Sequence, residues 1–136
     1  MSIDYFYGNQ AEKYNFIKVP KALMIDDIFS SLSFEAKILY GLLLDRMSSS
    51  VRNNWVDKEG KIFILYPVIE ICDDMNISKK KAIKSLTELE KIGLIDKTMQ
   101  GQGLPNQIYV KNFSSPVVTE NDDTNDSEVS NLALLK

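Results

Sequence analysis

The stretch that decides the fold is residues 67–95, PVIEICDDMNISKKKAIKSLTELEKIGLI. Pro67 suits the first turn of a helix over VIEICDDM, because its missing N–H would have no helical acceptor there. Asn76 suits a left-handed residue at the end of that helix, and Ser78 suits the N-cap of the next helix. Gly93 predicts where the second helix ends. Two short helices joined by three or four residues predict a helix-turn-helix.

Each of these two helices has an apolar face that is predicted to turn inward. On the first helix the inward residues are Val68, Ile69, Cys72 and Met75, and on the second they are Ala82, Ile83, Leu86, Leu89 and Ile92. At about 100° per residue, the side chains opposite the second face are Lys80, Lys84, Thr87 and Lys91. Lys79, Lys81 and Ser85 are predicted at the edges of that polar face.

The sequence before the motif predicts a helix and a hairpin. Residues 32–47, LSFEAKILYGLLLDRM, keep a helical apolar period, and Ser33 is a good N-cap. Residues 55–66, WVDKEGKIFILY, resemble a hairpin whose turn is Asp57–Gly60, followed by a short strand.

The sequence after the motif predicts two strands and a loop between them. LIDKTMQ (94–100) and QIYVKNF (107–113) have strand character, and they flank GQGLPN (101–106), which has turn chemistry. The order helix, strand, helix, helix, strand, wing, strand predicts an α+β winged helix-turn-helix.

An aromatic arm precedes these elements. The first 25 residues contain Tyr5, Phe6, Tyr7, Tyr14 and Phe16, and they predict an extended segment with strand character at YNFIKV. These rings either pack on the chain's own core or bind a partner, and the sequence leaves both readings open.

The composition argues against most enzyme classes. The chain has 136 residues, 44% of them apolar, with one cysteine and no histidine. Without histidine, the commonest general base and metal ligand are missing, and the phosphate-loop motif is absent too. Adjacent carboxylates such as Asp73 and Asp74 are best explained by a solvated helix face. We therefore predict no catalytic residue, no metal site and no cofactor.

The sequence also contains no secretory signal and no membrane-spanning run, which favours a cytoplasmic protein.

The charge divides the chain into two parts. Residues 1–113 carry 15 Lys and Arg against 14 Asp and Glu, a balance of +1, whereas residues 114–136 have a balance of −4, which accounts for the net charge of −3. We predict a winged-helix domain over 1–113. The polar, acidic residues 114–136 are predicted to be a linker-like tail that leads to a missing C-terminal domain.

The lysines at 79–81 are unusual for the start of a helix. The helix dipole is positive at that end, so each lysine there is unfavourable by roughly 0.3–1 kcal/mol. A solvated helix face is the simpler explanation of a lysine run. In a helix-turn-helix, however, the start of the second helix enters the DNA major groove, where lysines meet phosphates or guanine edges. The pattern therefore favours DNA binding.

Several motifs together resemble a known family. Four segments carry the resemblance: FIKVPKAL, YGLLLDRMSSSVRNNWVDKEGKIFILY, KKAIKSLTELEKIGLI and QGQGLPNQIYVKNF. Together they resemble the N-terminal domain of RepA_N-type replication initiators of plasmids from low-GC Gram-positive bacteria. The resemblance covers nearly all of residues 5–113. In that family the wing commonly carries basic residues, whereas Thr98, Met99 and Leu104 occupy this region here. Pro105 and Asn106 more simply shape the turn than read a base.

The resemblance implies sequence-specific binding of double-stranded DNA at repeated sites of a plasmid replication origin. It also implies that a separate C-terminal domain engages host replication proteins. A homodimer reading two half-sites is expected, with the aromatic arm as the candidate dimer element. A protein-interaction module of a primosome-like assembly and a winged-helix transcriptional regulator are the alternatives.

The residues predicted to contact DNA lie in three groups. They are Ser78, Lys79, Lys80, Lys81, Lys84, Ser85, Thr87 and Lys91 on the second helix of the motif, Arg52 and Asn53 after the first long helix, and Lys97, Gln100, Gly101, Gln102, Gly103 and Asn106 in and beside the wing.

Overall fold

From residue 32 onward the elements follow one another in the predicted order, whereas the first 25 residues, predicted to be extended rather than helical, contain a 3-10 turn and a short helix. The structure, a computed structural model, describes residues 2–48, 52–99, 101, 103–104 and 106–112. The helices are α1 (Ala22–Ile25), α2 (Phe34–Met47), α3 (Val68–Met75) and α4 (Lys79–Lys91). The strands are β1 (Ile64–Leu65), β2 (Ile95–Thr98) and β3 (Gln107–Val110), and 3-10 turns cover Gln10–Lys13 and Asp27–Phe29. The predicted tail, 114–136, lies outside the described residues.

The turn between α3 and α4 forms as the sequence predicts. Pro67 is the N-cap of α3, and Asn76 ends that helix in the left-handed conformation with φ of 54°. The N–H groups of Asn76 and Ile77 both donate to the carbonyl of Cys72, which satisfies the end of α3. The Ser78 hydroxyl then accepts a hydrogen bond from the Lys81 N–H at 3.2 Å. The turn thus provides hydrogen-bond partners for the Cys72 carbonyl at the end of α3 and for the Lys81 N–H in the first turn of α4.

α2 supports the helix-turn-helix from behind. Its N-cap Ser33 accepts a hydrogen bond from the Ala36 N–H at 3.1 Å, as the sequence predicts. Leu39, Tyr40 and Leu43 are buried on the inner face of α2, which packs against α4.

The sheet is antiparallel with the strand order β1-β3-β2. β2 and β3 form the hairpin that carries the wing, from the Ile95–Val110 pair to the Thr98–Gln107 pair. β1 adds to the other edge of β3. The predicted earlier hairpin is short: Val56 and Ile62 form a single bridge across the turn that contains Asp57.

One apolar core joins these elements. Its fully buried side chains come from every layer: Leu23 from α1, Leu39 and Leu43 from α2, Ile64 from β1, Ile71 from α3, Leu86 and Leu89 from α4, Ile95 from β2 and Ile108 from β3. The core holds the helix-turn-helix and the wing in one body.

Two apolar residues that we expected inside are outside. Ile69 is 71% exposed, and Ile71 occupies the core position of α3 instead. Ile83 is 42% exposed on α4. Ile69 follows Val68 and Ile83 follows Ala82, and in each pair the first residue is the more buried one. Because successive side chains on a helix point about 100° apart, the second side chain lies past the edge of the buried face.

The expectation of a strand at YNFIKV is wrong. Residues 14–19 form no strand, and the segment leads into α1 alongside α2. The close approach is at Gly41, where an added Cβ would lie 2.9 Å from Cγ2 of Val19 and 3.1 Å from the carbonyl oxygen of Lys18. The arm therefore docks on a helix rather than on a sheet edge.

The aromatic rings of the arm do not enter the chain's own core. Tyr5, Phe6, Tyr7, Tyr14 and Phe16 are all exposed. Three of these rings contact one another edge to face, with ring centroids 5.8 Å apart for Phe6 and Tyr14 and 6.4 Å apart for Tyr14 and Phe16. Of the two readings left open by the sequence, packing on the chain's own core is therefore wrong.

Candidate nucleic-acid interface

The first feature of the candidate site is a row of free cations on α4. Lys79, Lys80, Lys81, Lys84 and Lys91 are all exposed. Within the described residues, none of the five forms an ion pair. The side chains that hold α4 in place, among them the buried Ala82, Leu86 and Leu89, lie on its other face. The helix therefore presents uncompensated positive charge to solvent.

Acidic residues on the same helix do not neutralise this row. Both carboxylate oxygens of Glu88 accept hydrogen bonds from Ser33 at the start of α2. Glu90 lies 3.9 Å from the Lys97 ammonium on β2. Each acid thus faces a supporting element, because it lies on a flank of α4 rather than on the lysine face. Lys97, predicted as a DNA contact, is the partner of Glu90 and is only partly exposed.

The prediction that Ser85 lies on the exposed recognition surface is wrong. Its exposed fraction is 2%, and it shares the buried side of α4 with Ala82 and Leu89. The spacing i, i+3 and i+7 places these three side chains along one stripe, so Ser85 faces the interior. Thr87 is half-buried, and its hydroxyl donates to the carbonyl oxygen of Ile83 at 2.9 Å.

The wing lies between β2 and β3. Gly101 and Gly103 have positive φ values of 140° and 81°, which a side chain would strain. The Leu104 N–H donates to the Gly101 carbonyl at 3.2 Å, and the Leu104 side chain is exposed. Asn106 is half-buried where the wing enters β3. Gln100, Gln102 and Pro105 lie outside the described residues.

A cleft of about 570 Å³ separates the start of α4 from the wing. Pro67 and Ile69 line it from the α3 side, and Lys79 lines it from α4. Leu104 and Asn106 close it from the wing. The tertiary structure thus brings Lys79 and the wing to opposite sides of one groove, although about 25 residues separate them in sequence.

Arg52 and Asn53 lie apart from this groove in sequence and in contacts. Both are exposed in the turn before Trp55. In the part of the chain that the structure describes, no hydrogen bond or ion pair joins them to α4. Neither of them is among the described residues that line the cleft.

A polar network that the sequence did not reveal positions α3. The Arg46 guanidinium stacks 3.9 Å from the Tyr66 ring centroid, and it donates to the Leu65 carbonyl and to Glu70. The Tyr66 hydroxyl donates to Asp74 on α3. Burial, followed by this hydrogen bond, raises the pKa of Tyr66 above its usual range. Asp74, which we expected to be solvated, is a structural acceptor. The signal available in the sequence was an arginine, a tyrosine and acids on adjacent elements, which is too common to be specific.

Other kinds of site are not seen in the described residues. They contain no group of three or more His, Cys, Asp or Glu side chains placed to hold a metal ion. Among their helices, none is long and apolar enough to cross a membrane.

Comparison with known proteins identifies the family. The sequence profile described as "Replication initiator protein A (RepA) N-terminus" matches residues 15–123. The chain belongs to this family. The residues that match the family profile include α1–α4, all three strands and the wing.

Solved structures similar to this RepA N-terminal domain share its fold. A structure described as "Structure of Rep-DNA complex" is 32% identical, covers 86% of this chain and 88% of its own, and has a TM-score of 0.66. "N-Terminal domain of DNA binding protein" is 31% identical over 88% of each chain, with a TM-score of 0.66. "Structure of MDR initiator" is 31% identical over 87% of this chain and 91% of its own, with a TM-score of 0.65. The winged helix-turn-helix is thereby confirmed.

A curated relative is much longer than this RepA domain. The "41 kDa protein" of Lactobacillus helveticus is 27% identical over 101 residues, which are 70% of this chain. The aligned region spans 29% of that relative's length.

Proposed function

We propose that this domain binds double-stranded DNA at repeated sites of a plasmid replication origin, as the DNA-reading part of a replication initiator. The observation that carries the proposal is the row of exposed lysines on α4, none of which has an ion-pair partner among the described residues. Membership of the RepA N-terminal family and the likeness to a structure named as a Rep–DNA complex support it. We assign the domain no catalytic role.

The N-terminal half of α4 enters the major groove in this proposal. Lys80 and Lys84 point away from the core and meet phosphates or guanine edges. The backbone N–H groups of the first turn have no intrahelical acceptors, so they add affinity for phosphate oxygens. Lys91 lies farther along the same face and reaches the DNA backbone.

The wing supplies a second contact from across the cleft. Gly101 and Gly103 carry no side chains, so their backbone approaches a phosphate or the minor groove closely. Lys79 on the opposite wall of the cleft binds the same DNA strand. Gln100, Gln102 and Asn106 remain candidate contacts of the wing, and Arg52 and Asn53 remain candidate phosphate contacts beyond it.

A homodimer would read two half-sites. A single winged helix rarely reaches a specific affinity of about 10⁻⁸ M without a second module, and a dimer supplies that module at high effective concentration. The aromatic arm is the candidate dimer element, because its rings are exposed and form a small aromatic surface at Phe6, Tyr14 and Phe16. In this proposal residues 114–136 are a linker to a separate C-terminal domain that engages host replication proteins, in the cytoplasm where the plasmid replicates.

Fluorescence anisotropy with two duplexes tests the proposal. The 136-residue chain is titrated into a duplex carrying origin repeats and into a scrambled duplex of equal composition. We expect tighter binding of the repeats, with an affinity that falls steeply with salt, by a slope of about 0.9 per phosphate neutralised. The double variant Lys80→Ala/Lys84→Ala should bind about tenfold more weakly or worse and should lower that slope by about two.

A matched charge change provides the control. Lys21 and Lys58 are exposed outside α4, so the double variant Lys21→Ala/Lys58→Ala removes two positive charges, as many as Lys80→Ala/Lys84→Ala. It should leave the affinity nearly unchanged, and all variants should keep the wild-type melting temperature. Equal binding by the two double variants would show that α4 does not contact the DNA. Binding of neither duplex would favour the protein-interaction alternative, and repeats that lie only at a promoter would favour a transcriptional regulator.

A further inference from the structure

The recognition helix carries an apolar side chain on its outer surface. Ile83 is 42% exposed on α4, whereas Ala82, Leu86 and Leu89 are at most 2% exposed. Its neighbours in sequence on the exposed surface are lysines, and it does not line the cleft beside the wing. An exposed isoleucine in a helix otherwise lined with charge contributes little to this core. The surface of α4 that is proposed to bind DNA therefore includes one partly exposed apolar side chain.

Thr87 extends the apolar surface by one helical turn. Its hydroxyl donates to the Ile83 carbonyl at 2.9 Å, so the polar group of this side chain is used within the helix. The group that remains for an external contact is the Thr87 methyl. Residues four apart lie one above the other on a helix, so Ile83 and Thr87 form a methyl-bearing pair. Lys80 and Lys84 lie beside that pair.

Only one group on the major-groove edges of the four bases matches an apolar pair. Among the four bases, thymine alone presents a methyl group there, at C5. The flanking lysines favour an anionic partner, and DNA offers this methyl group within an anionic groove.

We propose that Ile83, with Thr87 beside it, recognises thymine through its C5-methyl group in the major groove. The inference rests on the proposed DNA-binding function and adds a specificity determinant to it. Lys80 and Lys84 supply the part of the affinity that depends on salt concentration. The Ile83–Thr87 pair selects the base, and this selection does not depend on salt concentration. The bound repeat accordingly contains thymine opposite the middle of α4.

Replacing thymine by uracil isolates the methyl group, because the two bases share every hydrogen-bonding atom. The origin-repeat duplex is synthesised once with thymine and once with deoxyuridine at every thymine position. Wild-type protein should bind the uracil duplex about fourfold more weakly for each contacted methyl, the factor that corresponds to about 0.8 kcal/mol per buried carbon. Ile83→Ala should weaken binding of the thymine duplex by a similar factor and should reduce the preference for thymine over uracil. The salt dependence should not change.

Three further variants distinguish the contact with the thymine methyl group from a general loss of affinity after an apolar side chain is removed. Thr87→Val keeps a methyl and should keep the preference for thymine, whereas Thr87→Ser keeps the hydroxyl but loses the methyl and should reduce it. Ile38→Ala removes an isoleucine from α2 that is 42% exposed, as Ile83 is, and should leave the preference intact. Melting temperatures confirm that each variant is folded.

The outcomes of the two proposals are distinct. Equal binding of the thymine and uracil duplexes by wild-type protein would overturn the role of Ile83 while leaving DNA binding in place. An unchanged preference for thymine in Ile83→Ala would do the same. Failure of wild-type protein to bind either duplex at low salt would instead overturn the proposed function itself, and the methyl contact with it.

Discussion

Glu88 on α4 accepts two hydrogen bonds from Ser33, one from its backbone N–H at 2.7 Å and one from its hydroxyl at 3.0 Å. Ser33 is the N-cap of α2, so the carboxylate lies at the positive end of that helix dipole. The pair joins the recognition helix to the helix behind it. It also directs the negative charge of Glu88 away from the lysine row.

We expect Glu88→Ala to destabilise the fold by about 1–3 kcal/mol, because hydrogen bonds to a charged acceptor are lost and the start of α2 loses its partner. Urea unfolding followed by circular dichroism measures the change. Glu59→Ala is the matched control, since the Glu59 side chain forms an exposed ion pair with Lys61 at 3.3 Å. That control should change stability by about 0–1 kcal/mol. Equal losses for the two variants would contradict the structural role of the Glu88–Ser33 pair.

Gly41→Ala tests the docking of the arm on α2. Alanine favours a helix over glycine by about 0.8–1.0 kcal/mol, so a site without steric conflict would be stabilised. Here the new Cβ meets Val19 and the Lys18 backbone, and overpacking costs about 1–3 kcal/mol. We expect a net loss of stability in thermal unfolding and faster proteolysis before residue 20.

The double variant Val19→Ala/Gly41→Ala checks the cause. Val19→Ala removes Cγ2, the side-chain atom nearest the added Cβ. Its cost should therefore be smaller in the Gly41→Ala background than in the wild type. If the two losses of stability simply add in the double variant, the side chains at positions 19 and 41 do not contact each other.

The hydrogen bonds that Asp57 accepts predict that the folded protein loses stability in acid. Its carboxylate accepts hydrogen bonds from the N–H groups of Lys61 and Glu59, both at 2.9 Å, and from the Tyr109 hydroxyl at 3.0 Å. The Lys61 N–H is the largest cause that lowers the pKa of Asp57 below its ordinary value of 3.8. The folded state therefore binds the proton less readily than the unfolded state. This stabilisation is complete above the ordinary pKa and is lost as the pH falls through the lower, folded value.

Asp57→Asn should reduce the difference in melting temperature between pH 7 and pH 3, because the residue no longer titrates. Asp73→Asn is the control, since Asp73 is exposed and forms no hydrogen bond or ion pair in the described part of the chain. It should leave the difference as in the wild type. An Asp57→Asn variant with the full wild-type acid dependence would contradict the role of this carboxylate.

Local signals predicted the helix-turn-helix closely. Pro67, Asn76 and Ser78 act on their own few residues of backbone, so their roles are readable without the rest of the fold. The β2–β3 hairpin was predictable for the same reason, because strand-forming residues flank a loop rich in glycine. The burial of Ser85 and the exposure of Ile83 were not predicted, since both lie near the edge of the apolar face of α4. Which side of such an edge is covered depends on the elements packed against it.

The sequence by itself determined where α3 and α4 begin and end, and that α4 carries its lysines opposite an apolar stripe. Those properties follow from caps, left-handed residues and the 3.6-residue period, which act within about two turns. Only the tertiary structure decided that Glu88 faces Ser33, that Lys79 faces the wing and that the arm docks on α2 rather than on the sheet. Each of these relationships joins residues far apart in the chain. Packing selects such partners by shape and charge, and no local pattern encodes the choice.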